Sequence, residues 1–199
     1  MTNTERPYQL CTKTVMDTSD TEIVFDENGV CNHYHNFMRL APHYLYQGKE
    51  SDLKLEMLVE QMRKDGKNSD YDCICGVSGG VDSSYVSYLS KQLGLRVLTV
   101  HFDNGWNSEL AVKNIENIVK RLGFDYQTWV VDWEEFKDLQ ISFLKASVAN
   151  AEIPTDHAFL AAIYRLCDQY NIKYILSGSN FATEGILPKS WGYNAKDVK

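Results

Sequence analysis

From residue 51 onward, apolar positions alternate between helical spacing and short continuous runs. Apolar residues that recur every three or four positions predict helices, whereas compact apolar runs predict buried strands. Polar residues and glycines that suit helix ends separate the two patterns. The predicted helices are 51–65, 81–93, 108–122, 132–149 and 155–170, and the predicted strands are 71–76, 96–102, 124–131 and 174–177.

Residue types at the ends of these segments support the predicted boundaries. Ser, Asp and Thr are good N-caps, and glycine commonly ends a helix. The predicted N-caps are Ser51, Ser108, Asp132 and Thr155, and the predicted stops are Gly66, Gly94 and Gly123. The apolar stripe predicted for the helix at 81–93 consists of Val81, Tyr85, Val86, Leu89 and Leu93.

Strands that alternate with helices pair in parallel through right-handed crossovers. The pattern therefore predicts an α/β fold over 51–199, a doubly wound, mostly parallel sheet with helices on both faces. Residues 1–50 show little periodicity and are predicted to form a small irregular N-terminal lobe. Ligands of such sheets bind beyond the carboxyl ends of the strands. Three polar segments leave predicted strand ends there, at 76–84, 102–107 and 177–184.

The segment 78–84, Ser-Gly-Gly-Val-Asp-Ser-Ser, lies between a predicted strand and a predicted helix. Its glycines let the backbone approach an anion, and successive N–H groups with the helix N-terminus can bind phosphate. Ser78, Ser83 and Ser84 add hydroxyl donors. The Asp82 carboxylate would repel a phosphate, and a Mg²⁺ ion between them removes that conflict. The alternative is a turn that only joins strand to helix.

These residues resemble the signature of the PP-loop ATP pyrophosphatases, which have an adenine nucleotide alpha hydrolase-like fold. Members bind ATP with Mg²⁺, transfer AMP to a carbonyl or amide oxygen and release pyrophosphate. The turn at 102–105 resembles the GMP synthetase segment near the adenine, and 178–180 resembles the loop after the fourth strand. The ATP-binding residues that the resemblance implies are Val77, Ser78, Gly79, Gly80, Asp82, Ser83, Ser84, Phe102, Asp103, Gly178 and Asn180.

A narrower resemblance spans most of the chain. Segments 11–18, 25–33 and 187–194 are similar to the N-acetyl sugar amidotransferases of bacterial surface-polysaccharide synthesis, including lipopolysaccharide, O-antigen and pseudaminic-type sugars. That family is implied to adenylate the acetamido oxygen of a nucleotide-linked N-acetyl sugar. Ammonia then displaces AMP and gives an acetamidino sugar. The activation is needed because amide resonance makes the acetamido carbon a poor electrophile.

The resemblance also implies partners. The chain has no recognisable glutaminase Cys-His pairing, so a separate glutaminase subunit is expected to supply ammonia, in some members together with a cyclase-like barrel subunit. The family implies further sequence after Asn194, and the chain is therefore expected to be truncated at its C-terminus. The oligomeric state is left open, with a homo-oligomer as one alternative.

A few further polar side chains are candidates for the site. Lys189 could neutralise a phosphate or contact the sugar, and it is grouped with Asp82 as catalytic; a solvated lysine is the alternative. Glu184 is a second candidate ligand of Mg²⁺. Trp106 is a candidate wall of the adenine pocket, with a packed aromatic as the alternative. Asp156 suits the positive end of its helix without a catalytic role.

The N-terminal lobe departs from the resembled family, in which paired Cys-x-x-Cys motifs suit structural zinc. Only Cys11 and Cys31 occupy such positions here, so half of the sulfur ligands are missing. His33 or His35 could complete a zinc site in their place. The alternative is that Cys11 and Cys31 are packed thiols.

Composition narrows the functional classes. The net charge of −7 and the absence of a basic cluster disfavour a nucleic-acid partner. No apolar run approaches the roughly 20 residues that span a bilayer, and no signal-peptide pattern opens the chain. A cytoplasmic protein with reduced cysteines and no membrane partner is expected.

Two rival functions stay open. Thiolation of tRNA on the same fold would need an activated cysteine beside the nucleotide. Cys73 and Cys75 lie within an apolar run and Cys167 lies near a predicted helix end, which counts against that chemistry. A non-catalytic nucleotide-binding or scaffold subunit is the other rival, and the presence of Asp82 argues against it.

Overall fold

The computed structural model describes residues 6–148, 150–186 and 188. None of the helices in these residues is long and apolar enough to cross a membrane. The elements are α1 (Asn32–Tyr44), α2 (Gly48–Asp65), a 3₁₀ turn (Gly66–Asn68), β1 (Cys73–Gly76), α3 (Val81–Gln92), β2 (Val97–Asp103), α4 (Glu109–Leu122), β3 (Asp125–Val130), α5 (Trp133–Lys145), α6 (Ile153–Gln169), β4 (Ile175–Leu176) and α7 (Phe181–Glu184). The chain divides into two compact units: the first combines the residues up to Ser51 with those from Ser179 onward, and the second is Asp52–Gly178.

The second unit contains a four-stranded parallel sheet in the order β3-β2-β1-β4. β1 pairs with β2 from Cys73 opposite Val97 to Gly76 opposite Val100. The chain adds β2 and β3 on one side of β1 and then returns to its other side with β4. The strand order therefore reverses between β1 and β4, which is where open α/β sheets bind ligands. The predicted α/β fold is confirmed, and all four predicted strands are present within a few residues of their predicted bounds.

Helices cover both faces of this sheet. Cys73 on one face of β1 packs with Met62 of α2. Ile74 on the other face packs with Ile163 and Leu166 of α6. Full burial of each such large apolar side chain contributes about 1.5–3 kcal/mol to the free energy of unfolding. The doubly wound arrangement follows from this alternation of buried residues along the strands.

α3 faces the sheet with serines as well as apolar side chains, and the predicted apolar stripe was only partly right: Val86 and Leu93 pack against the core that contains Cys73. Ser83, Ser87 and Ser90 are its buried residues, whereas Val81 and Tyr85 are 84% and 61% exposed. The Ser87 hydroxyl donates to the Ser83 carbonyl oxygen at 2.9 Å, so its burial leaves no donor unpaired. Small side chains let a helix approach a sheet closely, and this requirement outweighed the apolar pattern.

Two predicted helix starts are confirmed in detail. The Ser108 hydroxyl accepts a backbone N–H from the first turn of α4 at 3.2 Å. The Asp132 carboxylate accepts the N–H groups of Glu134 and Glu135 at the start of α5. Gly123 ends α4 with φ 62°, a left-handed conformation that favours glycine.

The predicted start of α6 was wrong. The helix begins at Ile153, with Pro154 in its first turn, so Thr155 lies inside the helix. Proline is favoured at this position because its fixed φ suits a helix and its missing N–H would be unpaired anyway. The Thr155 hydroxyl accepts a hydrogen bond from Asn104 Nδ2 at 3.3 Å instead of capping the helix.

Two other boundaries also differ from the predictions. α2 begins at Gly48, before the predicted cap Ser51, and Glu50 in its first turn suits the helix dipole. α5 ends at Lys145, short of the predicted residue 149. Ser147 has φ 52°, outside the helical region, which accounts for the earlier end.

The first unit contains more regular structure than the irregular lobe predicted for residues 1–50. Its α1 presents Phe37 and Tyr44, whose rings stack on Phe181 of α7 at centroid distances of 5.0 and 4.7 Å. Offset aromatic pairs of this kind contribute about 0.5–1.5 kcal/mol beyond their burial. A small core of the same unit consists of Cys11, Met16, Ile23, Val30 and Cys31.

Candidate nucleotide-binding site

The glycine loop, residues 77–80, joins the carboxyl end of β1 to α3. Gly79 has φ 76°, and a Cβ there would lie 2.5 Å from the carbonyl oxygen of Ala111 in α4. Asn114 Nδ2 donates to the Gly79 carbonyl oxygen at 3.1 Å. Both the positive φ and the contact with backbone exclude a side chain, so position 79 requires glycine. The first turns of α4 thus hold the loop in place.

The N-terminus of α3 has no side-chain cap. Its N-cap residue is Gly80, which has no side chain to accept a hydrogen bond, so the first N–H groups of the helix have no capping acceptor. Ser108 and Asp132 fill that role in α4 and α5. Open N–H groups at the positive end of a helix attract an anion. The start of α3 therefore suits a phosphate.

Hydroxyl groups of the predicted serines brace the glycine loop. Ser83 Oγ accepts the Ser78 backbone N–H at 3.3 Å, and the two hydroxyl oxygens lie 3.2 Å apart. Ser84 Oγ donates to the Gly80 carbonyl oxygen. Ser83 is buried, whereas Ser78 is exposed. These contacts fix the loop conformation, and the exposed Ser78 hydroxyl lies at its surface.

Asp82 and Gly178 meet at the first turn of α3. Within the described residues the exposed Asp82 carboxylate makes no hydrogen bond or ion pair. A Cβ on Gly178, just after β4, would lie 2.9 Å from the Ser83 backbone nitrogen. No group of three or more His, Cys, Asp or Glu in the described chain could hold a metal by itself. Mg²⁺ often uses one or two carboxylates together with phosphate oxygens, so a free Asp82 beside an anion site fits such an ion.

A cavity of about 300 Å³ opens beside the glycine loop at the carboxyl ends of β1 and β2. The rings of Phe102 and Phe159 meet edge to face inside its wall, with centroids 6.1 Å apart. Its volume lies at the lower end of the range for small-molecule sites, roughly 300–1,000 Å³. The residues that line it are Gly76, Val77, Ser78, His101, Phe102, Asn104, Asn107, Thr155, Asp156 and Phe159.

The cavity brings together some predicted residues and several that sequence reasoning missed. Val77, Ser78 and Phe102 were predicted, whereas His101 and Asp156 were not assigned to a site. The position of Asp156 in sequence indicates only a favourable contact with the helix dipole, and α6 is far from the glycine loop in sequence. The sequence contains one usable signal for His101, because this titratable residue stands between Val100 and Phe102 in a mostly apolar strand.

The loop after β2 is shaped by its own polar side chains. Asp103 Oδ1 accepts the Gly105 N–H at 3.0 Å and the Asn107 side-chain amide at 2.9 Å. Trp106 is 68% exposed, and its Nε1 donates to Gln140 Oε1 at 2.8 Å. Neither Asp103 nor Trp106 is among the described residues that line the cavity.

The remaining candidates lie elsewhere in the chain. Asn180 caps α7, since its side-chain oxygen accepts the Thr183 N–H at 2.9 Å. Glu184 is the last residue of the same helix. Asn180 and Glu184 belong to the first unit, whereas the glycine loop and the cavity belong to the second. Lys189 lies outside the described residues.

Cys11 and Cys31 are both buried in the core of the first unit. The backbone N–H groups of Cys31 and Lys13 donate to Cys11 Sγ at 3.2 and 3.4 Å. Burial raises the pKa of the Cys11 thiol, but hydrogen bonds from Thr14, Lys13 and Cys31 outweigh it and lower the pKa to about 6. The sulfur of Cys11 is thus stabilised as a thiolate by protein donors.

The two histidines proposed as substitute zinc ligands each bind a carboxylate. His33 Nε2 lies 2.5 Å from Asp20 Oδ2, and His35 Nε2 lies 2.8 Å from Asp26 Oδ2. One nitrogen of each ring is therefore engaged with an oxygen of the protein. Asp20 is fully buried, which makes its pair with His33 part of the core of this unit.

Two curated proteins are similar in sequence to part of this chain. A tRNA(Ile)-lysidine synthase from Chlamydia pneumoniae is 29% identical over 118 residues, which are 58% of this chain and 34% of that protein. The tRNA-specific 2-thiouridylase MnmA 2 of Fusobacterium nucleatum is 25% identical over 120 residues, which are 56% of this chain and 34% of that protein. The chain spans about a third of the length of these curated relatives.

Solved structures and a family profile are also similar to this chain. The NH3-dependent NAD synthetase from Campylobacter jejuni aligns with TM-score 0.49 and 17% identity over 64% of this chain and 56% of that one. An NMN synthetase from Francisella tularensis aligns with TM-score 0.46 and 18% identity, over 65% and 53%. The sequence profile of the NAD synthase family matches residues 54–184, about two thirds of the chain. The chain therefore belongs to the NAD synthase family, within the PP-loop ATP pyrophosphatase superfamily.

Proposed function

We propose that the chain binds Mg·ATP at the glycine loop and adenylates the acetamido oxygen of a nucleotide-linked N-acetyl sugar. Ammonia then displaces AMP and leaves an acetamidino sugar. The proposed source of ammonia is a separate glutaminase subunit. A cyclase-like barrel subunit accompanies it in one form of the assembly, as the resemblance implies for some members of the family. The family membership supports ATP chemistry, and the sugar and the partners rest on the resemblance of segments 11–18, 25–33 and 187–194.

One observation carries the proposal: the N-terminus of α3 is open and is closely surrounded by glycine backbone. Gly80 provides no cap, Gly79 folds the loop against α4, and Gly178 brings the loop after β4 to the same turn. Phosphate oxygens would accept hydrogen bonds from the open N–H groups, and the triphosphate would then lie at the switch point of the sheet. The aromatic cavity beside the loop would then receive the adenosine part.

The proposed reaction balances in two steps. The amide oxygen attacks the α-phosphorus of ATP, the bond to the β-phosphate oxygen breaks, and pyrophosphate leaves. Ammonia then adds to the imidate carbon, the carbon–oxygen bond breaks, AMP carries the oxygen away, and the added nitrogen loses its extra protons to solvent. Asp82 would hold Mg²⁺, whose charge offsets that of the departing pyrophosphate. Lys189 and Glu184 are the further residues proposed to contact phosphate or the ion.

Modification of tRNA is the second candidate, because both named curated relatives are tRNA-modifying enzymes. The cysteines of the second unit count against a thiolation route. Burial raises the pKa of Cys73 to about 12, and it also raises the pKa values of Cys75 and Cys167. A sulfur carrier needs an accessible thiolate at neutral pH, which none of these three thiols provides.

The test measures AMP and pyrophosphate after incubation of the chain with Mg·ATP, ¹⁵N-ammonium and a panel of nucleotide-linked N-acetyl sugars. We expect AMP release that depends on one sugar, with ¹⁵N in the sugar product. Asp82→Asn should reduce AMP release by about 100-fold or more if it removes the only metal carboxylate of the loop. Asp138→Asn removes another exposed carboxylate, in α5, and is the matched control. AMP release that requires tRNA and ignores every sugar would favour the second candidate.

A further inference from the structure

His101 is a buried polar side chain that the proposed mechanism does not use. It lies in β2, is 5% exposed and lines the cavity beside the glycine loop. Its Nδ1 lies 3.1 Å from the carbonyl oxygen of Val77. Its Nε2 is buried and has no hydrogen-bond partner among the described residues. Buried side-chain polar atoms in folded proteins nearly always have a partner, so this atom is expected to gain one from what the cavity binds.

The bond to Val77 fixes which kind of partner Nε2 needs. A carbonyl oxygen only accepts hydrogen bonds, so Nδ1 of His101 carries the proton. In the neutral ring, Nε2 then has a lone pair and accepts. Phosphate and carboxylate oxygens are acceptors, so they cannot pair with the Nε2 lone pair of this neutral ring. A ligand group that does so must present an N–H or O–H donor.

We infer that His101 Nε2 accepts a hydrogen bond from the adenosine part of ATP, an inference that rests on the proposed function. Adenosine offers two kinds of donor, the amino group of the base and the hydroxyl groups of the ribose. The triphosphate at the start of α3 leaves the cavity at the ends of β1 and β2 for this part of the molecule. Phe102 and Phe159 supply the apolar wall that a purine ring requires.

The same ring connects the cavity to the glycine loop. The Val77 N–H donates to the Val100 carbonyl oxygen at 2.8 Å, and the Val77 carbonyl oxygen accepts from His101. Both backbone groups of the first loop residue are thus fixed by consecutive residues of β2. A ligand that binds the imidazole also restrains Val77, the first residue of the glycine loop. His101 is therefore a positioning residue as well as a nucleotide contact.

Isosteric variants separate the two nitrogens. In His101→Asn the side-chain amide nitrogen occupies the place of Nδ1 and can still donate to Val77, but the acceptor at Nε2 is lost. We expect the Kd for Mg·ATP, measured by calorimetry, to rise by about 3–10-fold, the effect of one lost hydrogen bond. Thermal unfolding without ATP should match the parent, because the contact to the loop is kept. His101→Gln places its amide near Nε2 but lacks the donor to Val77, so it should lower the unfolding temperature without ATP.

ATP analogues identify the donor. Purine riboside triphosphate lacks the 6-amino group, and 2′-deoxy- and 3′-deoxy-ATP each lack one ribose hydroxyl. We expect one analogue to bind the parent chain more weakly than ATP does. The same analogue and ATP should bind His101→Asn with equal affinity, because the acceptor for the missing donor is absent there. ¹⁵N spectra of histidine-labelled parent chain add a readout independent of any variant. One unprotonated Nε2 signal should shift upfield on addition of ATP, as an acceptor nitrogen does when it gains a donor.

The outcomes are distinct. A parent chain that fails to bind Mg·ATP overturns the proposed function and this inference together. A parent that binds ATP no more tightly than His101→Asn does, with an unchanged Nε2 signal, overturns the inference alone. A different outcome is that His101→Asn binds ATP and every analogue more weakly than the parent does, all by the same factor. That result would mean that the ring only supports the loop, and it would also overturn the inference.

Discussion

The two ends of the sheet treat polar groups in opposite ways. At the amino ends, Asp72 directly precedes β1 and Arg96 directly precedes β2, and these residues bind each other through backbone and side chain. Arg96 also donates to the carbonyl oxygens of Ser69 and Gly66 at 2.7 and 2.8 Å. At the carboxyl ends, the N-terminus of α3 is uncapped, Asp82 is unpaired and His101 Nε2 has no partner in the described chain.

The contrast distinguishes a region built for stability from one built for binding. A buried polar group without a partner costs roughly 1–3 kcal/mol, so unpaired groups are not retained without a compensating role. At the amino end, Asp72 and Arg96 pair with each other, so this cost does not arise there. The carboxyl end leaves donors, an acceptor and a carboxylate that would complement different parts of the proposed Mg·nucleotide. Substitutions at the two ends should therefore separate into effects on stability and effects on ligand binding.

The largest effect is expected at Gly79. Gly79→Ala places a Cβ 2.5 Å from the Ala111 carbonyl oxygen in a backbone conformation that costs L-residues about 1–2 kcal/mol. The loop must shift to relieve the contact, and the Kd for Mg·ATP should rise by more than about tenfold. Gly80→Ala is the matched control, since a Cβ at position 80 meets only Ser78 Oγ at 3.4 Å. Calorimetric titration of both variants checks the prediction; equal weakening by the two would contradict the geometry of the loop.

At the amino end, Asp72→Asn should change stability and leave ATP binding intact. Asp72 is 3% exposed, and its loss of charge leaves Arg96 without its ion pair. Hydrogen bonds to charged groups contribute about 1.5–3 kcal/mol, and exposure of Arg96 places the expected loss toward the lower value. Urea denaturation measures the loss, and calorimetry should show an unchanged Kd for Mg·ATP.

The pH dependence of this pair has a definite sign. Burial acts to raise the pKa of Asp72, but the hydrogen bonds and charge of Arg96 outweigh it and hold the pKa below its ordinary value. A depressed folded-state pKa contributes stability above the unfolded-state pKa of about 3.9, and this contribution is lost as pH falls through the folded-state value. The stability difference between parent and Asp72→Asn should therefore be full at pH 7 and shrink below about pH 4. A difference that stays constant across that range would contradict the assignment.

Sequence reasoning succeeded where a local rule and the fold agree. Ser108, Asp132 and Gly123 each stand at the helix end that their residue type favours, and short apolar runs identified all four strands. The glycine loop could be recognised because two glycines followed by an aspartate and serines, between a strand and a helix, seldom serve a purely structural role. Caps, strands and the glycine loop depend on residues that are close in sequence, so the sequence alone is enough to predict them.

It failed where a distant element sets the requirement. Ser87 is buried because α3 lies against β1, where its hydroxyl is 3.6 Å from Cys75 Sγ, and no local pattern shows that contact. Thr155 has the residue type of a cap, yet its partner is Asn104 in the loop after β2. Asp156 reaches the cavity only through the packing of α6. These residues could not be assigned without the tertiary arrangement of the sheet.

The smallest effect is expected from adding the missing cap to α3. Gly80 has φ −81° and ψ 169°, a conformation that any residue adopts, and serine there can accept an N–H of the first turn. Gly80→Ser should raise the free energy of unfolding by about 0.3–1 kcal/mol, from the cap and from a less flexible unfolded chain. The added hydroxyl competes with phosphate for the same N–H group, so the Kd for Mg·ATP should rise about two- to fivefold. Ser108→Ala is the reverse experiment on α4, and it should cost about 1 kcal/mol of stability without changing the Kd. Urea denaturation and calorimetry on both variants measure the two effects separately. If Gly80→Ser gained stability and bound Mg·ATP as tightly as the parent, the N-terminus of α3 would not be the phosphate site, and the contrast between the ends of the sheet would lose its functional meaning.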